Sequence, residues 1–152
     1  MSRGAQTRGV AWYLAAGCGL LIAVVFLYTG VTKLGAMLGD GAALRGSWAA
    51  SFGAVPIWTL TIAEIAIALL LFAMRWRIGL ALAVTAGIGM FFAFVFKPPA
   101  VGQTCGCSGG GVLDTSQPLF VLVHIIVLTA VSSLGLLASA LDAQRGVASG
   151  GD

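Results

Sequence analysis

The chain has 152 residues, of which 59% are hydrophobic and 9% charged, against about 25% charged in a soluble domain. With a mean hydropathy of +1.03 it cannot cover itself with polar surface in water, which excludes an ordinary soluble domain and makes the lipid bilayer its expected solvent. The net charge of +3 comes without a Lys/Arg run, so no nucleic-acid partner is expected.

A helix needs about 20 apolar residues to cross the hydrocarbon core. Four stretches qualify, at about 10–32, 56–74, 78–96 and 118–141. The expected fold is therefore all-α: a four-helix transmembrane bundle spanning 10–141, with a short segment 1–9 before it and a frayed tail 142–152 after it. The first stretch carries Tyr28 and ends at Lys33. Its apolar core is longer than the 7–15 residues of a signal peptide, so it reads as a retained helix. The connection 35–55 places Leu44, Trp48 and Phe52 at four-residue spacing. That pattern suits either a helix lying on the bilayer surface or an Ala/Gly-rich loop.

Pro56 opens the second stretch, which contains Glu64, and Arg75-Trp76-Arg77 separates it from the third. Lys97-Pro98-Pro99 stops the third. The Gly-rich connection 98–117 is expected to be irregular. Pro118 opens the fourth, which contains His124. Trp12, Trp58 and Trp76 lie near stretch ends, where indoles favour the membrane interface. Glycines in the first and third stretches allow helices to approach closely.

Orientation follows from Lys/Arg counts. With both termini in the cytoplasm, inner segments hold Arg3, Arg8, Arg75, Arg77 and Arg145, and outer segments hold Lys33, Arg45 and Lys97. Five against three favours the cytoplasmic (inner) membrane with the 98–117 connection outside, where disulfides persist.

Two of the three cysteines lie in that connection, as Cys105-Gly106-Cys107. A disulfide needs Cα atoms about 4.4–6.8 Å apart, which residues i and i+2 reach only if the backbone bends, and glycine lowers the cost of bending. So small a ring staples almost no chain and suits exchange with another thiol pair. Incidental thiols, a structural disulfide and a metal site stay open as alternatives. The metal reading is the poorest, because Cys18 lies about 22 Å down the first helix from Lys33 and cannot reach the loop as a further ligand. Cys18 reads as a small packing residue.

Rise per residue sets the depth of the ionisable groups. Glu64 lies about 12 Å below the outer end of its helix, His124 about 9 Å and Tyr28 about 8 Å. A carboxylate inside a span is a functional-site candidate by default. The three, with Lys33, form either a proton relay or a polar pocket for a quinone head group, or else a pairing of Glu64 with Lys33 or His124 that locks the bundle.

The residues also resemble a known family. Gly30-Val31-Thr32-Lys33-Leu34 closing the first helix, Pro56 opening the second, Glu64 within it and Cys105-Gly106-Cys107-Ser108-Gly109 between the third and fourth resemble the DoxX-like membrane proteins, and more closely their MauE branch, over about residues 10–140. The family loop often reads C-G-C-F-G, and Ser108 stands here in place of the aromatic. The resemblance implies a redox-associated membrane protein of the kind linked with methylamine utilisation. MauE-type proteins are tied to maturation of methylamine dehydrogenase, with a thioredoxin-like partner, and DoxX relatives to quinone-linked sulfur oxidation. By that analogy Cys105 and Cys107 are the exchanging pair.

The expected function is thus thiol–disulfide exchange through Cys105 and Cys107 with an extracytoplasmic thioredoxin-like or folding partner. Electrons would leave to a quinone held near Tyr28, Lys33, Glu64 and His124. The rival readings are a non-enzymatic assembly scaffold and a small transporter with Glu64 in its path.

Overall fold

The computed structural model describes residues 9–39, 41, 44–100, 102–106 and 117–148, with side chains through residue 144. Among the described residues there are four α-helices: α1 Val10–Leu38, α2 Ala54–Phe72, α3 Trp76–Phe96 and α4 Pro118–Ala148. All four are long and apolar enough to cross a membrane, and the chain is an integral membrane helical bundle. They run up, down, up and down. α1 packs against α2 and α4, and α3 closes the ring against α4 and α2. One end of the bundle carries the α1–α2 and α3–α4 connections. The other carries the α2–α3 turn and the outer ends of α1 and α4.

Local chemistry sets most boundaries. Pro118 is the first residue of α4, where its missing N–H costs nothing. Pro56 falls in the first turn of α2, which begins two residues earlier than the proline cue indicated. Pro98 and Pro99 follow the end of α3 and prevent its continuation. Between α2 and α3, Met74 adopts φ +58°, and the Arg75 and Met74 amides donate back to the Leu70 and Leu71 carbonyls, closing the helix end in the left-handed manner.

Two helices outrun their expected limits. α1 continues past Lys33 to Leu38, and α4 continues to Ala148 through residues expected to fray. At 29 residues, α1 is about 43 Å long, more than the hydrocarbon core requires.

The bundle core has a central layer of Ile22, Ala23, Phe26, Ile67, Ala68, Leu71, Leu80 and Ala83. Large apolar side chains such as Leu21, Val24, Ile62, Leu69, Phe92 and Ile126 are exposed around the outside, as a lipid-facing surface requires. Small residues bring the helices together. A Cβ added to Gly30 of α1 would lie 2.7 Å from Ile65 Cγ1 of α2, and one added to Gly87 of α3 would strike Thr129 of α4.

The α1–α2 connection is neither a surface helix nor an open loop. A 3-10 turn, Ala49–Phe52, follows a stretch whose Leu44 and Trp48 point inward, leaving Trp48 1% exposed. Trp48 packs with Cys105, Val121 and Ile125 in a second apolar cluster. The connection is a lid folded onto the end of the bundle.

Candidate functional site

Beneath this lid lies a small cavity of about 70 Å³ bordered by every helix. α1 contributes Phe26, Thr29 and Lys33, which recur at i, i+3 and i+7 and so share one helix face. α4 contributes Val121, His124, Ile125 and Leu128 by the same rule. α2 presents Leu60 and Glu64, and α3 presents Ala83, Ala86, Gly87 and Met90. Cys105 borders the cavity from the α3–α4 connection.

The charged element is an ion pair between helices. Lys33 Nζ donates to Glu64 Oε1 at 2.6 Å, with Lys33 1% and Glu64 8% exposed. Thr29 Oγ1 lies 3.3 Å from Glu64 Oε2 and 3.3 Å from the Phe26 carbonyl, donating between them. The pair costs two desolvations, offset by a short charge-assisted bond. It also corrects the sequence reading of Lys33 as a charge marking the outer end of the first span. The residue is inside the helix, and its ammonium is held by α2 instead of reaching for the interface.

The cysteine loop is tied down through its backbone. The Trp48 amide donates to the Thr104 carbonyl at 2.8 Å, and the Ala49 amide to the Cys105 carbonyl at 3.0 Å. The Trp48 indole N–H donates to the Lys97 carbonyl. Gln103 Nε2 donates to the Gly46 carbonyl at 3.0 Å, and Lys97 Nζ to the Ser51 carbonyl at 2.7 Å. Gly106 sits at φ +66°, and a Cβ there would lie 2.6 Å from Ser47 Cβ. Both its conformation and its surroundings require glycine.

Cys105 is disulfide-bonded and 2% exposed. Cys107 and Ser108 lie outside the described residues. Cys18 is a free, half-buried thiol packed near Gly135. Among the described residues, no three His, Cys, Asp or Glu side chains gather as metal ligands would.

Of the residues singled out from sequence, Lys33, Glu64, His124 and Cys105 border one cavity, and Tyr28 does not. Tyr28 precedes Thr29 by one residue, about 100° around the helix, and so faces elsewhere. Sequence reasoning missed Thr29 and Trp48. Thr29 was detectable as the residue one turn before Lys33 on the same face. Trp48 was noticed, but for its spacing, which did not reveal its inward direction.

A larger groove, of about 570 Å³, opens beside the cavity between α2, α3 and the lid. It is lined by apolar residues such as Phe52, Pro56 and Ala93. Lys33, Leu60, Ala86 and Met90 form its common wall with the cavity.

No curated protein and no solved structure matches the chain. The family described as methylamine utilisation protein MauE matches residues 11–138, which includes α1 from its second residue, α2, α3, α4 as far as Ala138, the lid, the ion pair and the cysteine loop. This four-helix membrane protein belongs to the MauE family.

Proposed function

We propose that the chain is a thiol–disulfide exchange protein of the cytoplasmic membrane, with Cys105 and Cys107 as its redox pair. The observation that carries this reading is the location of a disulfide-bonded Cys105 on the wall of a cavity that also holds a buried ion pair and His124. A disulfide serving only to staple the chain needs no such surroundings, and the short C-x-C ring would staple little. The Lys/Arg distribution supports both termini in the cytoplasm and the cysteine loop outside, where a thioredoxin-like or folding protein can reach it. MauE membership supports a role in maturing a disulfide-bearing enzyme of methylamine use.

In this reading a partner dithiol gives two electrons to the Cys105–Cys107 disulfide. The partner becomes a disulfide, and the two cysteines become thiols. Reoxidation needs a two-electron, two-proton acceptor, and a membrane quinone, which leaves as quinol, has that chemistry. At about 70 Å³ the cavity has less than half the volume of a cavity of about 150 Å³ that takes up benzene, which argues against a quinone ring inside it. The neighbouring groove of about 570 Å³ has the room. There Lys33 is the one polar candidate of the original set that a ring would meet, with Glu64 and His124 behind the shared wall.

The ion pair also favours a second reading, an assembly scaffold in which Lys33 and Glu64 only lock α1 to α2. Redox behaviour separates the two. Cys107→Ser and Cys105→Ser variants, expressed in cells and resolved without reductant, are expected to capture a C-x-x-C protein from outside the cytoplasm, identified by mass spectrometry. Failure of both variants to form any mixed disulfide, with the wild-type cysteines found permanently reduced by alkylation, would leave the scaffold.

A further inference from the structure

In the sequence, Arg75-Trp76-Arg77 breaks the apolar pattern between the second and third spans. The structure gives these residues a fixed setting at the end of the bundle opposite the lid. The Arg75 amide donates to the Leu70 carbonyl at 3.0 Å, and the Gly79 amide donates to the Arg75 carbonyl at 3.0 Å, so the turn is tied to both helices. The Trp76 ring is seated against α1, where a Cβ added to Gly19 would strike it. The tryptophan and its two flanking arginines are therefore held where two spans end, which is the headgroup level of a bilayer.

An open pocket of about 660 Å³ lies at this level between α1, the α2–α3 turn and α4. Arg75 and Arg77 line it from the turn, Trp12 from α1 and Asp142 from α4. Ala15, Met74 and Ile78 supply apolar wall. Both arginines are exposed. Asp142 borders the same pocket but forms no ion pair with either arginine among the described residues, whose ion pair is Lys33 with Glu64. Two guanidinium groups thus stand against one carboxylate, and the pocket carries an excess of positive charge.

We propose that this pocket binds the headgroup of an anionic phospholipid, in the leaflet at this end of the bundle. Arg75 and Arg77 take the phosphate, because a guanidinium offers paired N–H donors that match phosphate oxygens. Trp12 and Trp76 flank the headgroup with amphipathic rings suited to the interface, and the apolar wall meets the start of the acyl chains. A soluble phosphate compound would leave that wall uncovered, which commits the site to a lipid. Basic pockets between spans recognise anionic headgroups in this way. The site uses no residue of the cavity under the lid and stands apart from the exchange reading.

The test reads lipid retention. The full chain is reconstituted in nanodiscs of equal parts phosphatidylglycerol and phosphatidylcholine, and the lipids that stay bound are counted by native mass spectrometry. Wild type is expected to retain phosphatidylglycerol preferentially. Each of Arg75→Gln and Arg77→Gln is expected to lower that retention about fivefold, and the double variant roughly 25-fold, as the charge of each basic residue near an anionic surface implies. Asp142→Asn removes the like charge and is expected to raise retention, a sign that misfolding would not produce. Arg45→Gln removes one positive charge at the lid end and is expected to change nothing. Retention unaltered in the double arginine variant, or lowered as much by Arg45→Gln, would overturn the site. Displacement of the lipid by millimolar inorganic phosphate would overturn its assignment to a lipid.

Discussion

Lys33 and Glu64 carry opposite charges into the bundle, and each is tolerable only because of the other. Removing one partner of a buried pair typically costs about 3–5 kcal/mol, whereas replacing both by apolar residues of similar size is often neutral. Glu64→Leu alone is therefore expected to lower stability by about that amount, and Lys33→Met/Glu64→Leu to recover most of it, as measured by thermal unfolding in detergent. A double variant as damaged as the single one would place the cost elsewhere. The shared level of Glu64 and His124, which border one cavity, was legible in the sequence because rise per residue is fixed, whereas Lys33 was placed above them at the outer end of its span. Which side chains face one another was harder to see, since that depends on how each helix is rotated. Tyr28 illustrates the gap: right depth, wrong face, as a helical wheel drawn from Lys33 would have revealed.

The helices themselves were legible at the scale of elements, because about 20 apolar residues in a row leave few alternatives. Their ends were less so. A lysine was taken as the close of the first span, yet α1 runs on to Leu38 because α2 supplies the carboxylate that lets Lys33 stay inside. Apolarity marks where a helix leaves the lipid, and α4 shows that the helix need not stop there. The lid between α1 and α2 was legible only as a spacing of Leu44, Trp48 and Phe52. Its inward fold depends on the cysteine loop and α4, which lie far along the chain. The contact between α1 and α2 has a separate test in Gly30, whose neighbours Thr29 and Lys33 both reach Glu64. Gly30→Val is expected to cost about 1–3 kcal/mol by overpacking against Ile65. It should also weaken the Lys33–Glu64 pair, so that adding Glu64→Leu costs clearly less in this background than in wild type. Strict additivity in that double-mutant cycle would show that Gly30 does not set the spacing of the pair.

For the whole molecule, pairing Lys33 removes one charge from the orientation argument. Arg45 and Lys97 are the exposed cations at the lid end, against Arg75 and Arg77 in the α2–α3 turn at the other end, with Arg3, Arg8 and Arg145 in the terminal segments of the sequence. The bias toward a lid facing out of the cytoplasm is thereby stronger than the raw count. In a cysteine-free background, Ser51→Cys on the lid is expected to react with a membrane-impermeant maleimide in intact cells. Met74→Cys, in the exposed α2–α3 turn, should react only after permeabilisation. The reverse pattern would invert the topology and put the cysteine loop in a reducing compartment.

The ion pair also has a history within each newly made chain. Lys33 precedes Glu64 by 31 residues, so the ribosome delivers the cation well before its carboxylate. Until α2 arrives, α1 must either hold its last turns outside the hydrocarbon or accept an unpaired ammonium, at a cost of about 2.5–3.5 kcal/mol near mid-bilayer and less toward the interface. The first helix thus reaches its final depth only as half of a hairpin. Nascent chains stalled so that Lys33 but not Glu64 has left the ribosome should sit shallower at Lys33 than longer chains in which both have emerged, a difference that glycosylation-distance mapping reads directly. Biogenesis of this small bundle is accordingly ordered: α1 and α2 settle as a pair before α4 completes the ring.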